Sequence, residues 1–473
     1  MTLKLNEIFK IFILSIGIFL FVLDLFIINV SLPSIQKSLH LSNSKTQWII
    51  ILYIIGYASL LINAGKMGTS FGRKKLYLIG MIGFTFSSFV CGISSNFYLL
   101  LGGRLLQGIS SGLMVPQGIS LITMLFENQQ KRTIALGMYG SIAGIASVLG
   151  QFLGGILPDL NWIEESWRLI FLVNIPIGLM AIAATAFLIS KDKNLIKEKV
   201  FGKEMIQLFI LLILIIYPLI VGPELNWPWW TLCLVILSLL IGIAFIQIQK
   251  KRFQKHLPSL IDFSLFNNRI YNLGLLAALA YYMVQDAYFI INSNYLQNIR
   301  DFTPTMTGIA FVYQGIGYVI ASLIVSRWVD KMGRWIILVG LTFMVFGLVA
   351  HIYMFNQVHI TVTEVHLVFF FYGIGCGTVL PSLMTLALRD LNKSLIGIGS
   401  ALYLTVQQIA ICLGIAFIVG LYFNHNKQSF LNFNQLSGAY GYATLVSIIL
   451  LICVGYIINK LFSKTKDQTI TKS

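Results

Sequence analysis

Fourteen apolar runs, each about as long as a membrane-spanning helix, divide this chain of 473 residues. A helix needs about 20 mostly apolar residues to cross a hydrocarbon core about 30 Å thick. The runs lie near residues 11–33, 48–68, 76–95, 98–126, 134–158, 168–190, 205–222, 230–249, 270–294, 306–329, 335–355, 365–388, 396–423 and 440–462. Only 11% of the residues are charged, too few to cover the exterior of a soluble protein of this size. The sequence therefore predicts an all-α membrane protein and excludes a soluble enzyme, a disordered chain and a disulfide-stapled domain.

The net charge of +16 follows the predicted sides of the membrane. Lys and Arg are retained in cytoplasmic loops. With the N-terminus inside, 27 of the 33 basic residues fall in inner segments, five fall in outer segments, and Arg104 lies inside the fourth span. A missed span would reverse this bias after the error. The pattern predicts that both termini are cytoplasmic and that the partner of the basic residues is the lipid bilayer rather than nucleic acid.

The chain divides into three parts around spans 7 and 8. Polar inner segments at 191–203 and 250–269 bracket these two spans and leave six spans on either side. We therefore predict an N-terminal six-helix bundle over 1–190 and a C-terminal six-helix bundle with a short cytoplasmic tail over 270–473. Residues 191–269 are predicted to form cytoplasmic linkers with two inserted transmembrane helices.

A short basic loop recurs in the two predicted bundles. Residues 65–73 follow span 2, residues 326–334 follow span 10, and both copies end in Gly-Arg. Superposing Gly72-Arg73 on Gly333-Arg334 places Asp330 of the second copy opposite Thr69 of the first. Parallel repeats of this kind are typical of transporters whose halves rock around a central site.

Four further segments carry motifs. Span 1 contains Leu23-Asp24 and Asn29-Val30-Ser31-Leu32-Pro33, and span 4 contains Arg104-Leu105-Leu106-Gln107-Gly108. Span 5 contains Gly140, Gly144 and Gly150-Gln151-Phe152-Leu153-Gly154-Gly155. Span 6 opens with Trp167-Arg168, Phe171 and Asn174-x-Pro176. Together with the loop, these motifs resemble the major facilitator superfamily, in particular its fourteen-span drug:proton antiporters (EmrB- and QacA-like). The resemblance implies the major facilitator fold and places proton coupling at the motifs of Asp24 and Arg104.

Asp24 and Arg104 are predicted to form a switchable ion pair. Spans 1 and 4 run in opposite directions, and the depths of the two residues differ by about 6 Å. A charge inside the membrane costs about 2.5–3.5 kcal/mol even on lenient scales. Protonation of Asp24 would free Arg104, and deprotonation would restore the pair. The alternatives are a fixed ion pair and an Arg104 that snorkels.

Asp286 lies among aromatic residues in span 9. Charge pairing combined with ring faces is the chemistry expected for a lipophilic cation. We predict a substrate site that contains Asp286, Tyr282, Asn29, Gln107 and Gln407. The alternatives for Asp286 are proton binding, a structural pair with Arg104, a hydrogen-bonded neutral acid, and a depth in the membrane other than the one counted. The amides are equally suited to hydrogen bonds between helices.

The two loop copies are predicted to form a cytoplasmic gate. Arg73 and Arg334 can meet carboxylates or helix C-termini across the interface of the two halves when the inner side is closed. The predicted gate residues are Gly65, Gly72, Arg73, Asp330, Gly333 and Arg334. Thr69 replaces the aspartate that the resembled family has in the first copy. The alternative is that these basic residues only set the orientation of the loops on the cytoplasmic side of the membrane.

The glycines of span 5 are predicted to allow close helix packing. Small residues at Gly140, Gly144, Gly150 and Gly154 let a neighbouring helix approach, and the resemblance implies packing against the other half of the molecule. Gln151 replaces the usual proline of this motif. The alternatives are ordinary tight packing and a coupling mode other than antiport.

The predicted function is proton-coupled export of lipophilic, cationic, drug-like compounds by alternating access. The protein is expected to act as a monomer in a bacterial cytoplasmic membrane, with small-molecule substrates and protons as partners. The sequence contains no P-loop, Rossmann or metal-ligand pattern, so neither a cofactor nor a metal is expected and the proton gradient supplies the energy. One alternative is a facilitator for one defined metabolite. Another is a polytopic membrane enzyme or sensor.

Overall fold

The computed structural model describes residues 4–126, 128–190, 192, 195, 199–325, 328, 332–392, 395–425 and 433–463. These residues contain no strand and form fourteen helices long and apolar enough to cross a membrane. Helices α1 to α14 span Leu5–Ser38, Asn43–Phe71, Arg73–Gly92, Phe97–Leu125, Gln129–Asp159, Ser166–Leu188, Gly202–Glu224, Trp229–Gln254, Arg269–Asn298, Pro304–Val325, Arg334–Phe355, Val362–Leu388, Ile396–Asn424 and Gly438–Lys460. The predicted all-α class and the count of fourteen spans are confirmed, whereas the side on which the termini lie stays a prediction.

The described chain forms two compact units. The first contains the residues up to Leu214 together with Phe302–Gly308, and the second contains Ile215–Asp301 and the residues from Ile309 onward. Helices α1 to α6 belong to the first unit, and α9 and α11 to α14 belong to the second. The three-part division of the sequence at residues 190 and 269 stays a prediction.

In the first unit, α4 approaches α2 at backbone distance. A Cβ atom at Gly108 would lie 2.1 Å from the carbonyl oxygen of Tyr53, and one at Gly112 would lie 2.8 Å from Cβ of Leu60. Small residues make such approaches possible, because helices in lipid associate through close packing. The same unit pairs α1 with α5, and α3 with both α4 and α6.

The second unit repeats this packing. A Cβ atom at Gly373 of α12 would lie 2.0 Å from the carbonyl oxygen of Gln314, and one at Gly377 would lie 2.2 Å from that of Tyr318, both in α10. The unit also pairs α9 with α13, and α11 with both α12 and α14. The internal repeat seen in the two loops therefore extends through the helix packing of both units.

Both repeated loops turn through a glycine with positive φ. The φ angle is +93° at Gly72 and +51° at Gly333, a region that side chains with a Cβ atom rarely adopt. Each glycine directly precedes the first residue of a helix, Arg73 of α3 or Arg334 of α11. The need for this turn explains why both loop copies end in Gly-Arg.

The turn that opens α6 is fastened to the end of α1. The Ser38 hydroxyl donates to Glu165 Oε1 at 2.6 Å, and Trp167 Nε1 donates to Ser38 Oγ at 2.9 Å. Arg168 Nε donates to Glu165 Oε2 at 2.7 Å. Hydrogen bonds from Ser38, and then from Arg168, hold the pKa of Glu165 below its ordinary value.

Glu165→Gln is expected to remove a small, acid-sensitive part of the stability. Because the folded pKa is depressed, the contribution of Glu165 is complete above the unfolded pKa and is lost as the pH falls through the folded pKa. Its side chain is 32% exposed, so this contribution should stay below about 1 kcal/mol. Thermal unfolding of the purified protein between about pH 3 and 6 should show wild type and variant converging at the acid end. Parallel curves would contradict this assignment.

Candidate functional site

Asp24 of α1 and Arg104 of α4 form a fully buried ion pair in the first unit. Arg104 NH1 donates to Asp24 Oδ2, and neither side chain is exposed. Arg104 Nε donates to the carbonyl oxygen of Ile49 at 3.0 Å, and its Cζ atom lies 4.1 Å from the centroid of the Tyr53 ring. These contacts offset the desolvation of two ions, which costs several kcal/mol for each ion.

Two amides complete the surroundings of the Asp24 carboxylate. Gln107 Nε2 and Asn174 Nδ2 each donate to Asp24 Oδ1 at 3.2 Å. Gln107 also accepts from Arg104 NH1 and donates to Ser88 Oγ, both at 2.8 Å. We call Asp24, Ser88, Arg104, Gln107 and Asn174 the Asp24 cluster. Its members come from α1, α3, α4 and α6, so the position of each of these helices affects the carboxylate.

The Asp24 cluster can change its charge by one proton. An arginine in a protein stays protonated, whereas a carboxylate can bind a proton. Protonation of Asp24 would change the net charge of the buried cluster from zero to +1. A charge without a counter-ion in a dry interior is costly.

Three members of the Asp24 cluster were predicted as site residues from the sequence, and two were not. Asp24 and Arg104 were predicted to pair and Gln107 to contact the substrate, whereas the structure places Gln107 against the ion pair. Asn174 was recognised only as part of the motif that opens span 6, and Ser88 was not singled out. The signal for Asn174 was an amide inside an apolar run, just before Pro176.

Asn29 lies about one and a half turns beyond Asp24 on α1. Its side chain is fully buried, and neither Oδ1 nor Nδ2 has a hydrogen-bond partner among the described residues. A buried amide without partners costs free energy that a bound polar molecule would restore. Asn29 therefore has hydrogen-bonding capacity that no described residue uses, whereas the amide of Gln107 is fully engaged.

Asp286 is buried among aromatic side chains in the second unit. It is 2% exposed, and the buried residues near it include Tyr282 on its own helix and Cys412 of α13. The Tyr282 ring meets Tyr403 of α13 edge-on, with 6.3 Å between the centroids. Gln407 is partly exposed on α13. The structure thus brings Asp286 and Tyr282 together in one unit, whereas Asn29 and Gln107 belong to the other.

An uncharged aromatic cluster stands in the second unit where the repeat would place the Asp24 cluster. Aligning α4 on α12 through their packing glycines puts Phe369 and Tyr372 opposite the polar residues of α4. Tyr372 stacks on Tyr288 with 4.0 Å between the centroids, and the Tyr288 hydroxyl lies 3.2 Å from His351 Nε2. His351 Nδ1 lies 2.7 Å from the carbonyl oxygen of Gly347. Nδ1 therefore carries the proton, and Nε2 accepts from Tyr288.

The first gate loop contacts the segment that follows α6. Arg73 NH1 lies 3.9 Å from Asp192 Oδ1, and the backbone N–H of Lys74 donates to Asp192 Oδ2 at 3.2 Å. Gly72 forms the turn between α2 and α3. Gly65 lies before it in α2 and is exposed. The partner predicted for Arg73 was a carboxylate or a helix C-terminus across the interface of the two halves, and that contact stays a prediction. Asp192, which Arg73 meets here, belongs to the same unit.

The second gate loop is described only in part. Gly333 forms the turn, and Arg334 stacks on Trp335 with 5.1 Å between Cζ and the ring centroid. Asp330, the predicted acidic member of the gate, lies outside the described residues. The role of the two loops as a gate stays a prediction.

Two of the four predicted packing glycines of α5 lie against α1. A Cβ atom at Gly150 would lie 2.7 Å from the carbonyl oxygen of Leu23, and one at Gly154 would lie 2.3 Å from that of Ile27. These two carbonyls flank Asp24 on its helix. The glycines therefore bring α5 against the part of α1 that carries the carboxylate.

The other two predicted positions, Gly140 and Gly144, meet no neighbouring helix within the described residues of the first unit. Apart from the backbone of α5 itself, no atom there lies within 4 Å of a Cβ built at either glycine. Their packing against the other half of the molecule stays a prediction. Gln151, which replaces the proline of the motif, is 4% exposed, and α5 is one continuous helix through it.

The comparison with protein families identifies the chain. The family model described as Major Facilitator Superfamily matches residues 14–415. The chain belongs to the major facilitator superfamily. It is therefore a multi-pass membrane transporter of small molecules, as the sequence motifs predicted.

Several curated relatives match this major facilitator chain over most of its length. It is 28% identical to the "Probable actinorhodin transporter" of Streptomyces coelicolor over 85% of this chain and 70% of the relative. It is 26% identical to "Multidrug resistance protein Stp" of Mycobacterium tuberculosis over 85% of this chain and 73% of the relative. It is also 26% identical to "Riboflavin transporter RibZ" of Clostridioides difficile, over 97% of this chain and 98% of the relative.

Solved structures of transporters share the fold of this major facilitator chain. A D-xylose–proton symporter matches with a TM-score of 0.70 at 15% identity, over 97% of this chain and 99% of the symporter. A bacterial homologue of the human lysosomal transporter Spinster, inward-facing and occupied, matches with a TM-score of 0.68 at 14% identity, over 97% of both chains. The predicted major facilitator fold is confirmed.

Proposed function

We propose that this transporter exports lipophilic, cationic, drug-like compounds in exchange for protons. The observation that carries the proposal is the Asp24 cluster, where a single carboxylate is wholly buried and held by α4 and α6. Proton coupling requires a group inside the membrane that changes its charge. Ionisable residues within membrane spans are rare and typically mark ion pathways and proton relays.

In the proposed cycle, one proton binds Asp24 at Oδ2 and displaces the hydrogen bond from Arg104. Arg104 then has neutral acceptors only, at Gln107 and the Ile49 carbonyl. This change favours the helix arrangement that is open to the opposite side of the membrane. Loss of the proton there re-forms the ion pair, so each turn of the cycle carries one proton through the cluster.

For the substrate we propose the surroundings of Asp286 as the cationic contact. The Asp286 carboxylate and the neighbouring Tyr282 ring combine charge with a ring face, which suits an organic cation. Gln407 on α13 is the proposed polar contact in the same unit. In the first unit, taken by itself, the buried amide of Asn29 is the proposed polar contact for a substrate. Gln107 is assigned to proton coupling, because its amide already bonds Asp24, Arg104 and Ser88.

The names of two relatives support export of drug-like compounds, since one is called a multidrug resistance protein and the other an actinorhodin transporter. We further propose a monomer in a bacterial cytoplasmic membrane with both termini inside, and two six-helix bundles joined by two inserted helices. The proposed energy source is the proton gradient, without a cofactor.

A facilitator for one defined metabolite is the second candidate. The riboflavin transporter of Clostridioides difficile aligns over 98% of its own length, further than the drug-named relatives do. If the substrate has no positive charge, Asp286 would instead bind a proton or make a structural contact.

Inside-out vesicles that are acidified inside would test the proposal. Candidate drugs are added outside, and release of protons from the lumen is followed with a pH-quenched dye. Antiport predicts release that depends on the drug and is absent in vesicles that carry Asp24→Asn. No release with a broad panel of cations, from protein shown to be folded, would contradict the proposal and favour the metabolite facilitator.

Asp286→Asn is expected to weaken the apparent binding of cationic substrates by about tenfold or more and that of neutral substrates by less than about twofold. Removal of the carboxylate takes away the charge but keeps the size and most hydrogen-bonding capacity, so only the charged ligands lose an ion pair. The measurement is the concentration of each compound that gives half-maximal proton release. Asp301→Asn, at an exposed carboxylate, is the matched control. Equal losses for both classes would show that Asp286 is structural or carries the proton.

A further inference from the structure

The segment after α6 is fastened to the N-terminus of α3, away from the Asp24 cluster. The side chain of Asp192 is only 6% exposed, and its carboxylate meets Arg73 and the backbone N–H of Lys74. The N-cap residue of α3 is Gly72, which has no side chain that could cap the helix. Asp192 therefore does what an N-cap side chain does, with its negative charge at the positive end of the helix dipole.

Lys74 makes a second link between the same two helices. It is 8% exposed, and its Nζ donates to the carbonyl oxygens of Ala186 at 2.8 Å and Ile189 at 2.5 Å. These carbonyls lie at the C-terminal end of α6, where a cation is favoured. Lys74 and Asp192 thus hold the beginning of α3 to the end of α6 by two reciprocal contacts.

Both of these helices also reach the Asp24 cluster. Ser88 of α3 accepts from Gln107, and Asn174 of α6 donates to Asp24. Ser88 follows Arg73 by 15 residues, a distance of about 22 Å along the helix. Fastening α3 to α6 at the loop therefore fixes two groups that surround the carboxylate.

The first loop differs from its repeat at the position of a carboxylate. The superposition of the two copies places Thr69 opposite Asp330. The Thr69 hydroxyl donates to the carbonyl oxygen of Lys66, inside its own helix. The carboxylate that meets Arg73 comes instead from Asp192, outside the loop.

We propose that Asp192 is a positioning residue for transport, which supplies the carboxylate that the α2–α3 loop lacks at Thr69. By capping α3 and pairing with Arg73, it holds the N-terminus of α3, the helix that brings Ser88 to the Asp24 cluster. The inference rests on the proposed transport function and gives the segment after α6 a task beyond joining the two halves.

Asp192→Asn is expected to lower the maximal rate of transport about five- to tenfold, while the substrate concentration for half-maximal rate stays within about twofold. Adding Thr69→Asp to this variant returns a carboxylate to the loop and should restore the rate to within about twofold of wild type. Lys74→Met is the contrasting variant. Lys74→Met should also lower the transport rate, and Thr69→Asp should not restore it, because the partners of Lys74 are carbonyl oxygens.

A second measurement reports the contact without any transport. Lys75 and Leu195 both border Gly72, where an added Cβ atom would lie 3.8 Å from Lys75 Cβ and 3.6 Å from Leu195 Cδ2. Spin labels at these two positions, in a variant without the native cysteines, should show strong dipolar broadening. Asp192→Asn should remove the broadening, and Thr69→Asp should not return it even though it restores transport.

The two measurements separate this proposal from the proposed function. If the wild type exchanges no drug for protons, the proposed function fails, yet the spin labels still decide whether Asp192 holds the loop. Unchanged broadening in Asp192→Asn overturns the proposal. An unchanged transport rate in that variant, or a reduced rate that Thr69→Asp fails to restore, overturns it as well.

Discussion

Asp24→Asn is expected to abolish proton-coupled transport while the folded protein remains in the membrane. Asparagine has the size of aspartate and accepts hydrogen bonds, but it does not bind or release a proton near neutral pH. The variant resembles the protonated state through which the proposed cycle passes, so the fold has to tolerate it. The effect should therefore fall on coupling and not on the amount of protein.

The measurement is drug-evoked proton release from vesicles that contain equal amounts of folded protein. Thermal unfolding in detergent shows whether the variant is folded. Asp301→Asn removes an exposed carboxylate and should behave as wild type. Full coupling in Asp24→Asn would refute the role of this residue.

Arg104→Met should destabilise the protein by about 3–5 kcal/mol, the cost of breaking a buried ion pair on one side. The change leaves the Asp24 carboxylate with two amides and no cation, and it also removes the guanidinium from the Ile49 carbonyl and the Tyr53 ring. Methionine fills a comparable length without a charge. We expect a low yield of folded protein and a marked fall in the unfolding temperature.

The double variant Asp24→Asn with Arg104→Met separates the charge from the packing. Removal of both ions should recover much of the stability lost in Arg104→Met, because no unpaired charge remains. Proton-coupled transport should stay absent. An Arg104→Met protein as stable as wild type would show that the ion pair is dispensable for the fold.

The number and type of helices could be predicted because the bilayer imposes one length on every span. A run such as 11–33 has enough consecutive apolar residues to indicate a membrane span, and α1 covers it with short extensions at both ends. The packing glycines were harder to predict. Gly140 and Gly150 look alike in the sequence, but only Gly150 meets a neighbouring helix in this unit, and the sequence does not reveal which face of α5 turns inward.

The ion pair could be predicted for a similar reason. Counting residues from the end of a span gives depth, and the similar depths of Asp24 and Arg104 made the pair possible. A pair of Arg104 with Asp286 stayed open in the sequence, and the packing of α1 beside α4 decides for Asp24. The amide of Asn174 comes from 150 residues further along the chain, and its place depends on which helices are neighbours. The contact of Asp192 with the loop was hidden for another reason, because nothing in a short polar segment distinguishes one carboxylate from the next.

Asp24 and Arg104 are 80 residues apart in the chain, and this separation constrains how the protein is made. The first helix leaves the ribosome and enters the bilayer before the fourth has been synthesised. Asp24 must therefore enter without its cation, at a cost of about 2.5–3.5 kcal/mol that the apolar remainder of the helix has to outweigh. Insertion of the first helix therefore precedes the interaction with Arg104 that stabilises its carboxylate in the folded protein.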